Sequence, residues 1–211
     1  MKLYLVRHGE TDWNKVRKLQ GQVDIPLNEF GRELARETKK GLADIPFAVC
    51  YTSPLKRAKE TAELILEGRD VPIIEDKRIM EMAFGVFEGK CCSKEGWELP
   101  DDFQKFFDDP AAYEAPEGGE NFADLKRRLS SFLSELYEKE EYKDSNILIT
   151  THGAALAGIL NVIREDPLEK YWGIGVQKNC AVSQVEVKNK VPRIISENVV
   201  YYKVKVEDWK R

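Results

Sequence analysis

The chain has 211 residues, 42% of them hydrophobic and 33% charged, ordinary values for a globular protein able to bury a sizeable core. A net charge of -4 offers no basic footprint for nucleic acid or for a membrane surface. No apolar run approaches the roughly 20 residues of a membrane span, and the amino terminus lacks a basic-then-apolar leader, so a cytoplasmic protein is expected.

Length and an unbroken composition predict one domain over residues 1–211, with an insertion between its elements. Short apolar or β-branched runs predict strands at residues 2–6, 47–52, 71–75, 146–151, 180–187 and 193–202. The first helix begins at Leu27-Asn28, with Phe30, Leu34 and Thr38 at four-residue spacing. Ser53-Pro54 reads as an N-cap and a first-turn proline, after which Leu55, Ala58, Ala62 and Leu66 share one face. The longest helix runs from about Asn121 to Lys139, with Phe122, Leu125, Leu129, Phe132 and Leu136 as its apolar stripe. Alternating strands and helices imply an α/β fold, a mostly parallel sheet covered on both faces. The end of the chain departs from that rhythm. Residues 180–206 look like successive strands around a turn at Lys188-Asn189-Lys190, so an antiparallel edge is expected. Cys50, Cys91, Cys92 and Cys180 have neither CxxC nor Cys/His ligand spacing and read as reduced structural thiols.

The chain has only two histidines, and both follow apolar strands and precede glycine: Arg7-His8-Gly9 and Thr151-His152-Gly153. Ligands bind at the carboxyl edge of an open α/β sheet, where both would sit. A strand running into a glycine turn lets backbone N–H groups approach an anion, and Arg7 offers phosphate a bidentate fork. An imidazole there is a candidate nucleophile, with its other ring nitrogen held by a carbonyl near Gly9. Taken singly, each residue has a plainer reading. A lone histidine can be structural, Arg57 can belong to a solvated face with Lys56 and Lys59, and Glu81 can be one surface acid among many. Gly118-Gly119-Glu120-Asn121 can be a turn leading to an N-cap at Asn121.

The segment Leu5-Val6-Arg7-His8-Gly9-Glu10-Thr11-Asp12-Trp13-Asn14 resembles the signature of the histidine phosphatase superfamily, in its phosphoglycerate mutase-like branch. Five further blocks are similar in the family's order: Gln20-Gly21 with Asp24, Pro26-Leu27 and Gly31; Ser53 to Ala58; Glu81 with Phe84-Gly85 and Glu88-Gly89; Gly118-Gly119-Glu120; and Thr151-His152-Gly153. The resemblance implies a three-layer α/β/α sandwich and no metal or other cofactor. By the same resemblance His8 is the nucleophile that forms a phosphohistidine, and Arg7, Arg57 and His152 neutralise the transferred group. Asn14 donates to a phosphate oxygen, Gly153 lies beside the pocket, and Gln20 and Gly21 border the substrate. Glu81 is the general acid and then the base. Two arginines and an imidazolium would supply the positive charge that phosphoryl transfer requires.

Residues 91–119 are the expected lid. They carry Glu95, Glu98, Asp101, Asp102, Asp108, Asp109, Glu114 and Glu117 against Lys94 and Lys105 alone. Such a lid is expected to repel a second anionic group. Trp97, Phe103, Phe106, Phe107 and Tyr113 either pack on the leaving group or form the lid's own core. The reading is a metal-independent phosphatase of a small organic phosphomonoester. A cofactor-dependent phosphoglycerate mutase and an α-ribazole phosphatase are the alternatives, and a homodimer is left open. A non-catalytic binder of phosphorylated ligands is the alternative of another class, against which the intact His8, Arg7, Arg57, Glu81 and His152 argue.

Overall fold

The computed structural model describes residues 1–203. Its strands are β1 (Lys2–Arg7), β2 (Phe47–Thr52), β3 (Ile73–Glu75), β4 (Asn146–Thr151), β5 (Val182–Lys188) and β6 (Val191–Val199). They form one sheet in the order β3-β2-β4-β1-β5-β6. The first four neighbours in that order run parallel, and β5 and β6 form the antiparallel edge. The helices are α1 (Asp12–Lys15), α2 (Glu29–Gly41), α3 (Lys56–Leu66), α4 (Lys105–Asp108), α5 (Phe122–Tyr137) and α6 (Gly153–Arg164), with short 3-10 turns between them.

Side-chain alternation along a strand divides the core into two layers. Leu3, Leu5, Val49, Tyr51, Ile147 and Ile149 pack with the stripes of α5 and α6. Tyr4, Val6, Cys50 and Leu148 point the other way, onto Ala62, Ile65 and Leu66 of α3 and Leu42 at the end of α2. The fold is therefore a three-layer α/β/α sandwich. Strands β1 and β4 are buried on both faces, which is why they read as unbroken apolar runs. Among the described residues no helix is long and apolar enough to cross a membrane. All four cysteines are free.

Several boundaries move, each for a local reason. Strand β3 starts at Ile73 because Pro72 has no N–H to give; its carbonyl takes the Cys50 N–H at 2.8 Å instead. Helix α3 starts at Lys56 rather than Pro54, since Leu55 is still extended (φ -66, ψ 132). Strand β5 begins two residues late because Cys180 is left-handed (φ 55) and donates its N–H to the Arg7 carbonyl at 2.9 Å. Asn189 and Lys190, both with positive φ, make the two-residue hairpin turn, so β6 starts at Val191. It stops at Val199 beside the left-handed Asn198, so Val200 to Tyr202 are not strand, and residues 204–206 lie outside the described residues. Asn121 does occupy the N-cap position of α5, but its side chain caps nothing; Oδ1 accepts the Ala115 N–H at 2.8 Å.

Two devices fix the loops around the carboxyl edge. A Cβ on Gly9 would stand 2.6 Å from the Gly31 carbonyl oxygen, and one on Gly31 would stand 2.1 Å from that of Glu10. Only two glycines allow the start of α2 to press on the loop after β1. Residues 91–119 join the body through two antiparallel bridges, Lys18 to Cys91 and Phe84 to Gly119.

Candidate active site

Register brings the two histidines together. Strands β1 and β4 are parallel neighbours with Arg7 opposite Thr151, so the next residue on each, His8 and His152, emerges at the same edge. Their ring centroids are 5.2 Å apart. Strand β2, on the other side of β4, delivers Ser53 and then Arg57 on the first turn of α3. Arg7, His8, Asn14, Gln20, Gly21, Arg57, Glu81 and Gly153 all line one cleft. His152 stands behind it, fully buried.

The Nδ1 of His8 lies 2.6 Å from the Gly9 carbonyl. A carbonyl only accepts, so Nδ1 carries the proton and the Nε2 lone pair is left free. Burial, reinforced by Arg57 and Arg7, holds the His8 pKa well below 6.5. The ring is neutral at neutral pH, as a nucleophile must be.

His152 differs. Its Nδ1 accepts from Arg57 Nε at 3.2 Å, which puts the proton on Nε2, and that N–H meets Ser53 Oγ at 2.7 Å. Burial and then Arg57 push its pKa well below 6.5. The imidazolium expected from the resemblance is not what the structure gives: buried beside two arginines, the ring is neutral. The positive charge comes from Arg7 and Arg57, whose pKa values burial lowers to about 10 and Glu81 partly restores, so both remain cationic.

Arg57 is no solvated helix residue: it is fully buried, and its Nη1 and Nη2 donate to the carbonyls of Val23 at 2.8 Å and Gly21 at 2.6 Å. Arg7 gives Nη1 to the Gln177 carbonyl at 2.6 Å, while its buried Nε has no partner and faces Gly153. Asn14 Oδ1 is taken by the Thr11 backbone N–H and hydroxyl, leaving Nδ2 as the donor toward the cleft. Gln20 Oε1 is buried without a partner at the same wall.

Glu81 is an acceptor on three sides. Its oxygens take the N–H groups of Met82 at 3.0 Å, Ala154 at 3.1 Å and Ala155 at 3.0 Å, the last two from the open amino end of α6. Two arginines, a neutral imidazole with a free nitrogen and a cradled carboxylate thus surround one space. The set can bind a phosphoryl group, accept it on nitrogen and exchange a proton with the atom that leaves.

The chain matches the histidine phosphatase superfamily (branch 1) over residues 3–200. It belongs to that superfamily. Phosphoserine phosphatase 1 of Hydrogenobacter thermophilus is 29% identical over 199 residues, 94% of this chain and 92% of the relative. A protein of Gloeobacter violaceus named 2,3-bisphosphoglycerate-dependent phosphoglycerate mutase 2 is 34% identical over 165 residues, 75% of this chain and 73% of its own. The solved structure of Bacillus stearothermophilus YhfR superposes with a TM-score of 0.87 at 35% identity, covering 95% of this chain and 98% of that one.

In this member of the superfamily, residues that local pattern does not betray also stand at the cleft. Ser53, Gln177, Trp172 and Val176 are in or behind the cleft. The Ala154 and Ala155 N–H groups had one legible signal, since His152-Gly153 opens an apolar helix whose first N–H groups need acceptors. Removing the Ser53 hydroxyl strands the buried His152 N–H. Ser53→Ala is expected to cost about 1–3 kcal/mol in thermal or denaturant unfolding and to weaken phosphate binding through Arg57. Unchanged stability and phosphate affinity would refute that link.

The lid needs correction too. All eight acids of residues 91–119 are exposed and none lines the cleft. Asp102 pairs with Lys105 at 3.1 Å, and Glu98 holds the Cys91 N–H. The aromatics divide. Phe103 and Tyr113 pack with Phe84, Phe106 and Phe122 as a core, whereas Phe106 and Phe107 reach the cleft beside Trp172. Lys18 is the third cation on the cleft wall. The eight acidic charges therefore do not repel a second anion at short range.

Proposed function

We propose that this protein hydrolyses a small organic phosphomonoester through a phosphohistidine on His8, without a metal. One observation carries the reading: His8 Nδ1 is tied to Gly9, which presents Nε2 to a cleft that also holds Arg7, Arg57 and Glu81. Arg7 Nε, Arg57 and Asn14 Nδ2 bind the equatorial oxygens, where charge accumulates as the phosphoryl group passes in line to Nε2. His152 aligns Arg57 and adds no charge of its own. Glu81 protonates the departing oxygen. In the second half it accepts a proton from the water that attacks the phosphohistidine. Gln20 and Gly21 border the alcohol, and Phe106, Phe107 and Trp172 give it an apolar wall. Residues 91–119 act as the lid of one domain, and the four free thiols fit a cytoplasmic setting.

A mutase reading shares the chemistry and needs a cation for a second anionic group; among the described residues of the cleft, Lys18 is the one that could serve it. A turnover panel separates them. Phosphate release from aryl and alkyl phosphates and from phosphoserine is expected to exceed interconversion of 2- and 3-phosphoglycerate, to survive chelators and to be inhibited by vanadate. Mutase turnover stimulated by bisphosphoglycerate, with little phosphate release, would reject hydrolysis as the activity. Loss of activity on chelation, restored by a divalent ion, would reject the mechanism.

A further inference from the structure

Arg128 on α5 does not line the cleft, yet three of its five N–H groups donate to the segment that carries Glu81 and the other two to Glu120. Nη1 donates to the carbonyls of Arg78 and Met80, both at 2.7 Å, and Nη2 to that of Glu81 at 3.0 Å. The remaining donors form a two-pronged pair with Glu120, Nε to Oε1 at 2.7 Å and Nη2 to Oε2 at 2.8 Å. Glu120 then takes the Ala83 N–H on Oε2 at 3.3 Å and returns its own N–H to the Ala83 carbonyl at 2.9 Å. A guanidinium has five N–H donors in a rigid fork, and here all five are used. Both side chains are mostly buried, at 19% and 16% exposure, so water is a poor substitute for either.

The segment is thus held at two levels. Arg128 and Glu120 fix the backbone from residue 78 to residue 83, while the open end of α6 fixes the Glu81 carboxylate. Misplacing an acid by about 1 Å is enough to lose most of its contribution.

We propose that Arg128, clamped by Glu120, is a positioning residue for Glu81, required for proton donation to the leaving oxygen and not for phosphate capture. The inference rests on the proposed role of Glu81. It predicts a loss that depends on the leaving group. An alkoxide needs the proton, whereas p-nitrophenolate departs without it. The quantity to measure is kcat/KM, which reports the steps up to phosphoryl transfer and is blind to hydrolysis of the phosphohistidine.

In Glu81→Gln, kcat/KM for an alkyl phosphate should fall by about 10²–10⁴ and that for p-nitrophenyl phosphate far less. Arg128→Lys keeps the charge but cannot span three carbonyls and a carboxylate. It should show the same pattern, the alkyl substrate falling about tenfold more than the aryl one, with vanadate inhibition nearly unchanged. Glu120→Gln, nearly isosteric, should do so more weakly, and it serves if Arg128→Lys fails to fold. Added guanidinium should restore the alkyl-to-aryl ratio of Arg128→Ala. Equal losses on both substrates, or none, in folded Arg128→Lys and Glu120→Gln would overturn the proposal while Glu81→Gln keeps its leaving-group dependence. If Glu81→Gln itself shows no such dependence, the role of Glu81 fails and the proposal fails with it.

Discussion

His8→Ala should leave turnover lower by on the order of 10⁵-fold or more and no acid-labile, base-stable phosphate on the protein. The size follows from the absence of a substitute. His152 is the only other imidazole, and both its nitrogens are engaged, Nδ1 by Arg57 and Nε2 by Ser53. Its ring also stands behind the cleft wall rather than on it. Arg7, Arg57 and Asn14 keep their backbone and side-chain anchors without His8, so phosphate and vanadate should still bind. Labelling with a 32P-labelled ester and a direct binding measurement separate the two effects. Substantial labelling of the variant would remove His8 from the reaction.

Acid should unfold the protein steeply, beginning well above the carboxylate range. Both histidines are buried, and both have folded-state pKa values pushed far below the unfolded value of 6.5. A group with a depressed folded pKa binds its proton more readily when unfolded. Stability is therefore fully present above about pH 6.5 and falls as pH drops below it, until the folded-state values are reached. Each histidine contributes a slope that approaches about 1.4 kcal/mol per pH unit as the unfolded ring becomes fully protonated below pH 6, so the pair approaches about 2.8 kcal/mol per unit while both folded rings stay neutral. Asp76, Glu67 and Glu186, whose pKa values are lowered from 3.8, 4.5 and 4.5, act below that window. Denaturant unfolding at pH 7, 6 and 5 measures the slope. His8→Gln should remove about half of it. A flat profile across the window would mean that the rings are not held neutral.

The fold was legible where a strand or helix is buried along its whole length. Strands β1 and β4 are apolar without a gap, and the α5 stripe recurs at helical spacing. The boundaries that moved depend on single backbone events, a proline without an N–H before β3 and left-handed residues at Cys180 and Asn198, which have no apolar signature. In the site, residues beside strand ends were legible because the edge of a parallel sheet is where they must act. Arg57 was legible only through a motif, because on spacing alone it belongs with Lys56 and Lys59. Arg128 was out of reach. Its partners are carbonyls 47 to 50 residues away, and any residue type supplies a carbonyl. The acids of residues 91–119 fail as a signal for the opposite reason: a count of charges carries no direction, and all eight are exposed.

The two bridges that seat residues 91–119, Lys18 to Cys91 and Phe84 to Gly119, tie both ends of that insertion to the loops of the cleft. Between them the insertion sends Phe106 and Phe107 to the cleft while Leu99, Phe103 and Tyr113 join the main core, so a change of alcohol-facing side chain is constrained by the packing behind it. Glu88 adds a further tie, for its Oε1 takes the N–H groups of Gln22 and Phe84 and so binds the substrate-side loop to the acid-bearing one. A substitution at Glu88 would therefore loosen both loops at once.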